Sequence, residues 1–131
     1  MVALRFLVPY PLPVPPPFHL LAVPILIAGL VLIVAPAKEF DRRQTAIDPF
    51  GEASVLVTDG WFHYSRNPMY LGMVVVLLGV GLGLRAWAPL AVVPVFVALI
   101  QTRFIRMEEE VLTQKFGESY RQYCSQVRRW I

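Results

Sequence analysis

Residues 18–37 read FHLLAVPILIAGLVLIVAPA, twenty positions without an aspartate, glutamate, lysine or arginine. No other feature restricts the possible folds so severely. At a rise of ~1.5 Å per residue the run makes a helix ~30 Å long, the thickness of a bilayer's hydrocarbon core. Two further apolar runs follow, 69–84 (MYLGMVVVLLGVGLGL) and 88–105, separated only by Arg85, Ala86 and Trp87. In lipid every backbone N–H and C=O must be satisfied within the protein, so these runs are helices rather than open strands. The pattern predicts an all-α polytopic membrane protein with about three transmembrane helices. The second and third form a tight hairpin, with Trp87 at the membrane–water interface. Gly72, Gly79, Gly81 and Gly83 suit close helix–helix approach. Pro24, Pro89 and Pro94 are tolerable where neighbouring helices take up the freed carbonyls.

The polar residues distinguish the two ends. Of 131 residues 56% are hydrophobic and 16% charged, where a soluble domain averages about a quarter charged. That size and composition predict a single membrane domain. Lys38, Arg42, Arg43 and Arg66 lie in the loop 38–68, and Arg103, Arg106, Lys115, Arg121, Arg128 and Arg129 lie near the C-terminus. With three crossings both groups share one side, which the positive-inside rule makes cytoplasmic and which leaves the N-terminus outside. The net charge of +3 is then a topology signal with affinity for anionic headgroups, and nucleic acid is not an expected partner. Away from their ends the three apolar runs hold no ionisable residue to mark a transport pathway. Cys124 is the sole cysteine, which excludes an internal disulfide or a thiolate metal cluster. His19 and His63 lack ligand spacing, and no metal is expected. The proline-rich lead-in, residues 1–17, is expected to form no regular helix, because each proline lacks an N–H and clashes with the preceding turn. It also lacks the layout of a signal peptide.

Two polar blocks flank the hairpin on the basic side. In the first, 38–68, DPFG and TDG are turn signals, ASVLV reads as a short buried extended piece, and GWFHY carries aromatics to the membrane surface. An aromatic belt accounts for Trp61 and Phe62 without further function. In the second, 106–131, the third membrane helix continues as a polar helix. On a 3.6-residue period Glu109 shares a face with Ile105, Leu112 and Phe116. Glu110 is placed to pair with Arg106 at i, i+4. A carboxylate on a packed face costs energy unless it meets a cation or several donors, so a ligand is expected there. Gly117 is a plausible C-cap. Beyond it Tyr120, Tyr123, Val127 and Trp130 form one stripe, either lying on the membrane surface or closing over a pocket between the blocks.

Taken in order, RNPMYLG, the hairpin and EEEVLTQKFGESYRQY resemble the isoprenylcysteine carboxyl methyltransferase family and the related phospholipid methyltransferases. The resemblance rests on Arg66, Asn67, Pro68, Tyr70 and Gly72, then on Glu108, Glu109, Leu112, Phe116, Gly117, Tyr120 and Tyr123. It extends over roughly residues 40–131, and QTAIDPFGEASVLVTDGWFHYS looks like the loop of small bacterial members. It implies a multi-pass protein of a bacterial inner membrane that uses S-adenosylmethionine, without a Rossmann fold, to methylate a lipophilic acceptor. The acceptor classes are an isoprenylcysteine-type carboxylate, a phospholipid headgroup or a small hydrophobic molecule. It implies cofactor binding around Tyr64, Arg66, Asn67, Pro68, Tyr70, Leu71, Gly72, Glu108, Glu109, Tyr120 and Tyr123, with Arg66 and Glu109 aligning the reaction.

The chemistry of these side chains is compatible with that cofactor. Arg66 can take its carboxylate, Glu108 or Glu109 its ammonium or ribose, and the tyrosines its adenine or sulfonium. Displacement at an activated sulfonium mainly needs alignment and exclusion of water. Three crossings are fewer than the family's usual number, which would leave a lipid-facing entrance open or completed by a second copy, so a homodimer is possible. The competing expectation is a truncated, non-enzymatic member serving as membrane scaffold or partner subunit.

Overall fold

A computed structural model of the chain describes residues 1–7, 17–47, 50–51 and 53–131, and within them all regular structure is helical. Helix α1 is Val2–Leu7. A 3₁₀ turn, Phe18–Leu21, leads into α2, Ala22–Arg42. After the long loop and a second 3₁₀ turn at Gly60–His63 comes α3, Pro68–Leu84. Helix α4, Trp87–Phe116, is long and continuous, and α5, Glu118–Gln126, closes the series.

Two of these helices, His19–Arg42 and Trp87–Phe116, are long and apolar enough to cross a membrane. At 17 residues, α3 is ~25 Å long, shorter than a ~30 Å hydrocarbon core. Its closest packing is with α2 rather than with the helix that follows it. A Cβ at Gly72 would lie 2.8 Å from Gly29 O, and one at Gly29 would lie 2.8 Å from Val76 N. The two backbones therefore touch where neither residue carries a side chain. Gly79 meets Leu26 of α2, whereas Gly81 meets Leu90 in the first turn of α4. Arg85 turns the chain between α3 and α4 at φ 52°, ψ 42°.

Four expectations are corrected. Residues 2–7 are helical, because the proline argument applies only from Pro9 onward; residues 8–16 lie outside the described set, as does part of the DPFG turn. The ASVLV piece is irregular, and only Val57 of it is buried. Arg106 and Glu110 form no ion pair, since two exposed, flexible side chains gain little by meeting in water. The aromatic stripe ends early. Val127 is extended at φ −119°, ψ 131°, so Trp130 does not continue the helical face.

Within α4, residues Gln101–Ile105 form a π-helical turn. Thr102 supplies a local cause: its Oγ1 donates to Ala98 O at 2.7 Å and Leu99 O at 3.4 Å. Such bonds compete with the main-chain ladder, and the extra residue re-phases everything that follows. Ile105 ends fully buried, with Glu108 and Glu109 beyond it.

Candidate functional site

The end of the molecule that carries Arg66 and Glu109 also holds a cavity of about 230 Å³. The loop after α2 and the start of α3 supply one wall. Phe40, Ala46, Ile47, Ala53, Val55, Leu56 and Val57 contribute most of the apolar lining, with Met69 and Met73 from α3. The polar lining is Arg66, Asn67, Tyr70, Glu108, Glu109, Tyr120 and Tyr123. An apolar pocket with a few converging polar groups is the usual form of a small-molecule site.

Each wall has a local reason. Asn67 precedes a proline and is held outside the helical region, at φ −131°, ψ 56°. Fully buried Pro68 then starts α3 where its missing N–H is no loss. Met69, Tyr70 and Met73 follow at helical spacing on the cavity face. On the other side Phe62, Tyr120, Tyr123, Val127 and Val57 form a buried cluster, with Phe40 edge-to-face on Phe62 at 5.3 Å. Burying side chains of this size contributes roughly 1.5–3 kcal/mol each. Tyr123 OH donates to Phe62 O at 2.6 Å. The stripe on α5 therefore closes over the pocket.

The charged groups interlock. Glu109 Oε1 lies 3.1 Å from Arg66 Nη1, and Arg129 grips both of its oxygens at 2.9 and 2.7 Å. The Glu109 carboxylate holds the Arg129 guanidinium above its ordinary pKa, and burial opposes that rise. Arg66 Nη1 also donates to Cys124 Sγ at 2.8 Å, whereas its Nε is buried without a hydrogen-bond acceptor. Glu108 accepts a bond from Tyr70 OH at 2.6 Å. Burial pushes both Tyr120 and Tyr123 above the ordinary tyrosine value, with Cys124 adding to the rise at Tyr120. Both phenols are neutral at pH 7.

Of the residues singled out from the sequence, Arg66, Asn67, Pro68, Tyr70, Glu108, Glu109, Tyr120 and Tyr123 meet at this cavity. Tyr64, Leu71 and Gly72 are absent from its lining. Tyr64 is 76% exposed and stacks edge-to-face on His63 in a shallow outer groove with Glu39, Asp59 and Trp61. Leu71 is rotated away by one helical step, ~100°, and Gly72 is spent on the contact with α2. Glu109 faces two arginines rather than open space. Sequence reasoning misses Arg129, because no glycine or proline marks the end of α5 and the spacing of Tyr120, Tyr123, Val127 and Trp130 predicts a helix through the tail. It also misses the apolar wall at 53–57, which has no periodic signature.

What the fold and cavity define is an all-helical membrane protein with a ligand-sized pocket at its basic end. The chain belongs to the phospholipid methyltransferase family, whose model matches residues 17–119. That match takes in the cavity from Phe40 to Leu112 and stops before Tyr120, Tyr123 and the tail. The chain is 35% identical over 81 residues to the Delta(14)-sterol reductase of Mus musculus, which covers 60% of this chain but only 19% of the reductase. It is 41% identical over 64 residues to an uncharacterized protein of Haemophilus influenzae, covering 48% of this chain and the whole of that one. No solved structure matches it.

Proposed function

We propose that the protein is an S-adenosylmethionine-dependent methyltransferase that acts on a lipophilic acceptor at the cytoplasmic face of the membrane. One observation carries the reading: Arg66, with a buried and unsatisfied Nε, shares a mostly apolar cavity with Glu108. A donor left buried without a partner costs about 1–3 kcal/mol, and an anion entering the cavity beside Arg66 would offer its guanidinium a further acceptor. The cofactor's carboxylate and ammonium call for this pair of charges, and its adenosyl group suits neutral phenols and methionines.

Bound there, the cofactor would supply a methyl group already activated by its sulfonium. Arg66 would take the carboxylate, and Glu108, steadied by Tyr70, the ammonium or ribose hydroxyls. Tyr120 and Tyr123 remain uncharged against the nucleoside. Phe40, Met69, Met73 and Val55 to Val57 keep water from the reacting centre, and exclusion of water strengthens every charge interaction inside. In this topology α2, α3 and α4 all cross the membrane, and the basic end is cytoplasmic by the positive-inside rule. The short α3 is accommodated because Arg66 and Asn67, at its start, stand at the water line.

The likeness to a sterol reductase supports a second reading, in which the pocket serves a lipophilic molecule and a different donor. Equilibrium binding of labelled S-adenosylmethionine to detergent-purified protein separates the two. Micromolar binding that weakens at least about tenfold in Arg66→Ala, together with label recovered in the lipid or small-molecule fraction of membranes, is the expected outcome. Absence of binding to folded protein refutes the methyltransferase reading and favours the second, or a non-enzymatic role.

A further inference from the structure

Two guanidinium groups share one carboxylate at the cavity wall. Arg129 occupies both oxygens of Glu109 with hydrogen bonds, whereas the nearest approach of Arg66 is Nη1 to Oε1 at 3.1 Å. Arg66 and Glu109 expose only 15% and 19% of their side chains, so solvent screens their interaction weakly. Two cations against one anion leave a single positive charge. Arg66 and Glu109 without Arg129 would be neutral, and the planar fork of Arg66 would be free to close on the carboxylate in two-pronged fashion. With Arg129 in place, Arg66 stays within 3.1 Å of Glu109 and keeps an unsatisfied Nε.

We propose that Arg129 is a positioning residue that engages Glu109 so that Arg66 stays available, and the cluster of Arg66, Glu109 and Arg129 stays net positive, for the carboxylate end of the methyl donor. The inference rests on the methyl-donor reading above. The backbone of the tail supports it independently. Arg128 O accepts from Arg66 N at 3.0 Å, and Arg129 O accepts from Asn67 Nδ2 at 3.0 Å. Trp130 Nε1 donates to Gln101 Oε1 at 3.2 Å, at the start of the π turn. The extended tail that delivers the Arg129 guanidinium thus also grips the loop that carries Arg66, so both partners of Glu109 are placed by one segment.

The test compares two ligands with the same nucleoside. S-adenosylhomocysteine carries the carboxylate, and 5′-methylthioadenosine lacks the amino-acid end. Calorimetry on the full-length protein in detergent reads both affinities. Arg129→Ala is expected to weaken S-adenosylhomocysteine at least about tenfold and to leave 5′-methylthioadenosine within about threefold. Arg129→Lys, and the double variant Arg129→Ala/Glu109→Gln, each keep the cluster of positions 66, 109 and 129 net positive and are expected to hold S-adenosylhomocysteine within about threefold of the native protein. These two decide the matter even where the single alanine variant does not fold. Equal weakening of both ligands in Arg129→Ala, or losses above about tenfold in both charge-retaining variants, overturns the proposal. A native protein that binds neither ligand overturns the methyl-donor reading itself, and this inference with it.

Discussion

Replacing Gly72 with alanine places a methyl group in the close backbone contact between α2 and α3. The new Cβ would stand 2.8 Å from Gly29 O, 2.8 Å from Ile33 Cγ1 and 2.9 Å from Leu32 Cβ. One of these atoms is a carbonyl oxygen of α2, which no side-chain rotation can move, so the helices must part. Overpacking of this kind costs typically ~1–3 kcal/mol, and the upper half of that range applies where backbone meets backbone. Alanine returns up to ~1 kcal/mol of helix propensity, which leaves a net loss of roughly 1–2 kcal/mol.

Gly83→Ala, in the same helix, is the matched control. Its Cβ would meet only Ala22 Cβ, at 3.4 Å, so the propensity gain stands nearly alone. The two variants should therefore differ by roughly 2 kcal/mol, which for a chain of this size means roughly 6–10 °C in apparent Tm. Thermal unfolding in detergent, followed by a thiol-reactive dye at the single Cys124, reads this difference. Equal melting of the two, or a higher Tm for Gly72→Ala, would refute the close packing of α2 on α3. Because Pro68 and Tyr70 ride on the same helix within about one turn, Gly72→Ala should also weaken binding of the proposed methyl donor, whereas Gly83→Ala should not.

Two pH responses follow from the site and its surroundings. Tyr120 and Tyr123 are raised by burial, so the folded protein keeps their protons while the unfolded chain releases them above about pH 10. The stability they contribute is fully present below about pH 10 and is lost as pH rises beyond it; ultraviolet titration should show Tyr120 and Tyr123 ionising only as the protein unfolds. At the opposite extreme Asp59, held below its ordinary value by the Arg43 guanidinium, contributes stability above about pH 4 that disappears as pH falls through its lowered folded-state pKa. The group is exposed and the effect small; acid melts of the native protein and Arg43→Ala should diverge above about pH 4 and converge at lower pH.

The candidate site was legible from the sequence to the extent that its residues lie on regular elements. Tyr70 and Glu109 were readable because helical spacing places them relative to apolar neighbours a turn away. Tyr64 and Leu71 lie off the cavity lining because adjacency in a motif does not carry direction: one sits in a turn that faces outward, the other a helical step off the cavity face. Arg129 was invisible for a different reason. Its partner, Glu109, lies twenty positions earlier, and nothing in the local pattern ends α5 at Gln126.

By itself the sequence determined three apolar helices, a basic end with the RNP and Glu-Glu motifs gathered near it, and the family. Run length, charge distribution and spacing are local properties, and the bilayer's thickness and the cost of unsatisfied backbone act on them directly. Only the tertiary structure decided that α3 packs its Gly72 face on α2, that a π turn re-phases α4 ahead of Glu108, and that an extended tail brings Arg129 onto Glu109. Each of these depends on a contact between distant segments, or on competition for a backbone carbonyl, and neither leaves a periodic trace along the chain.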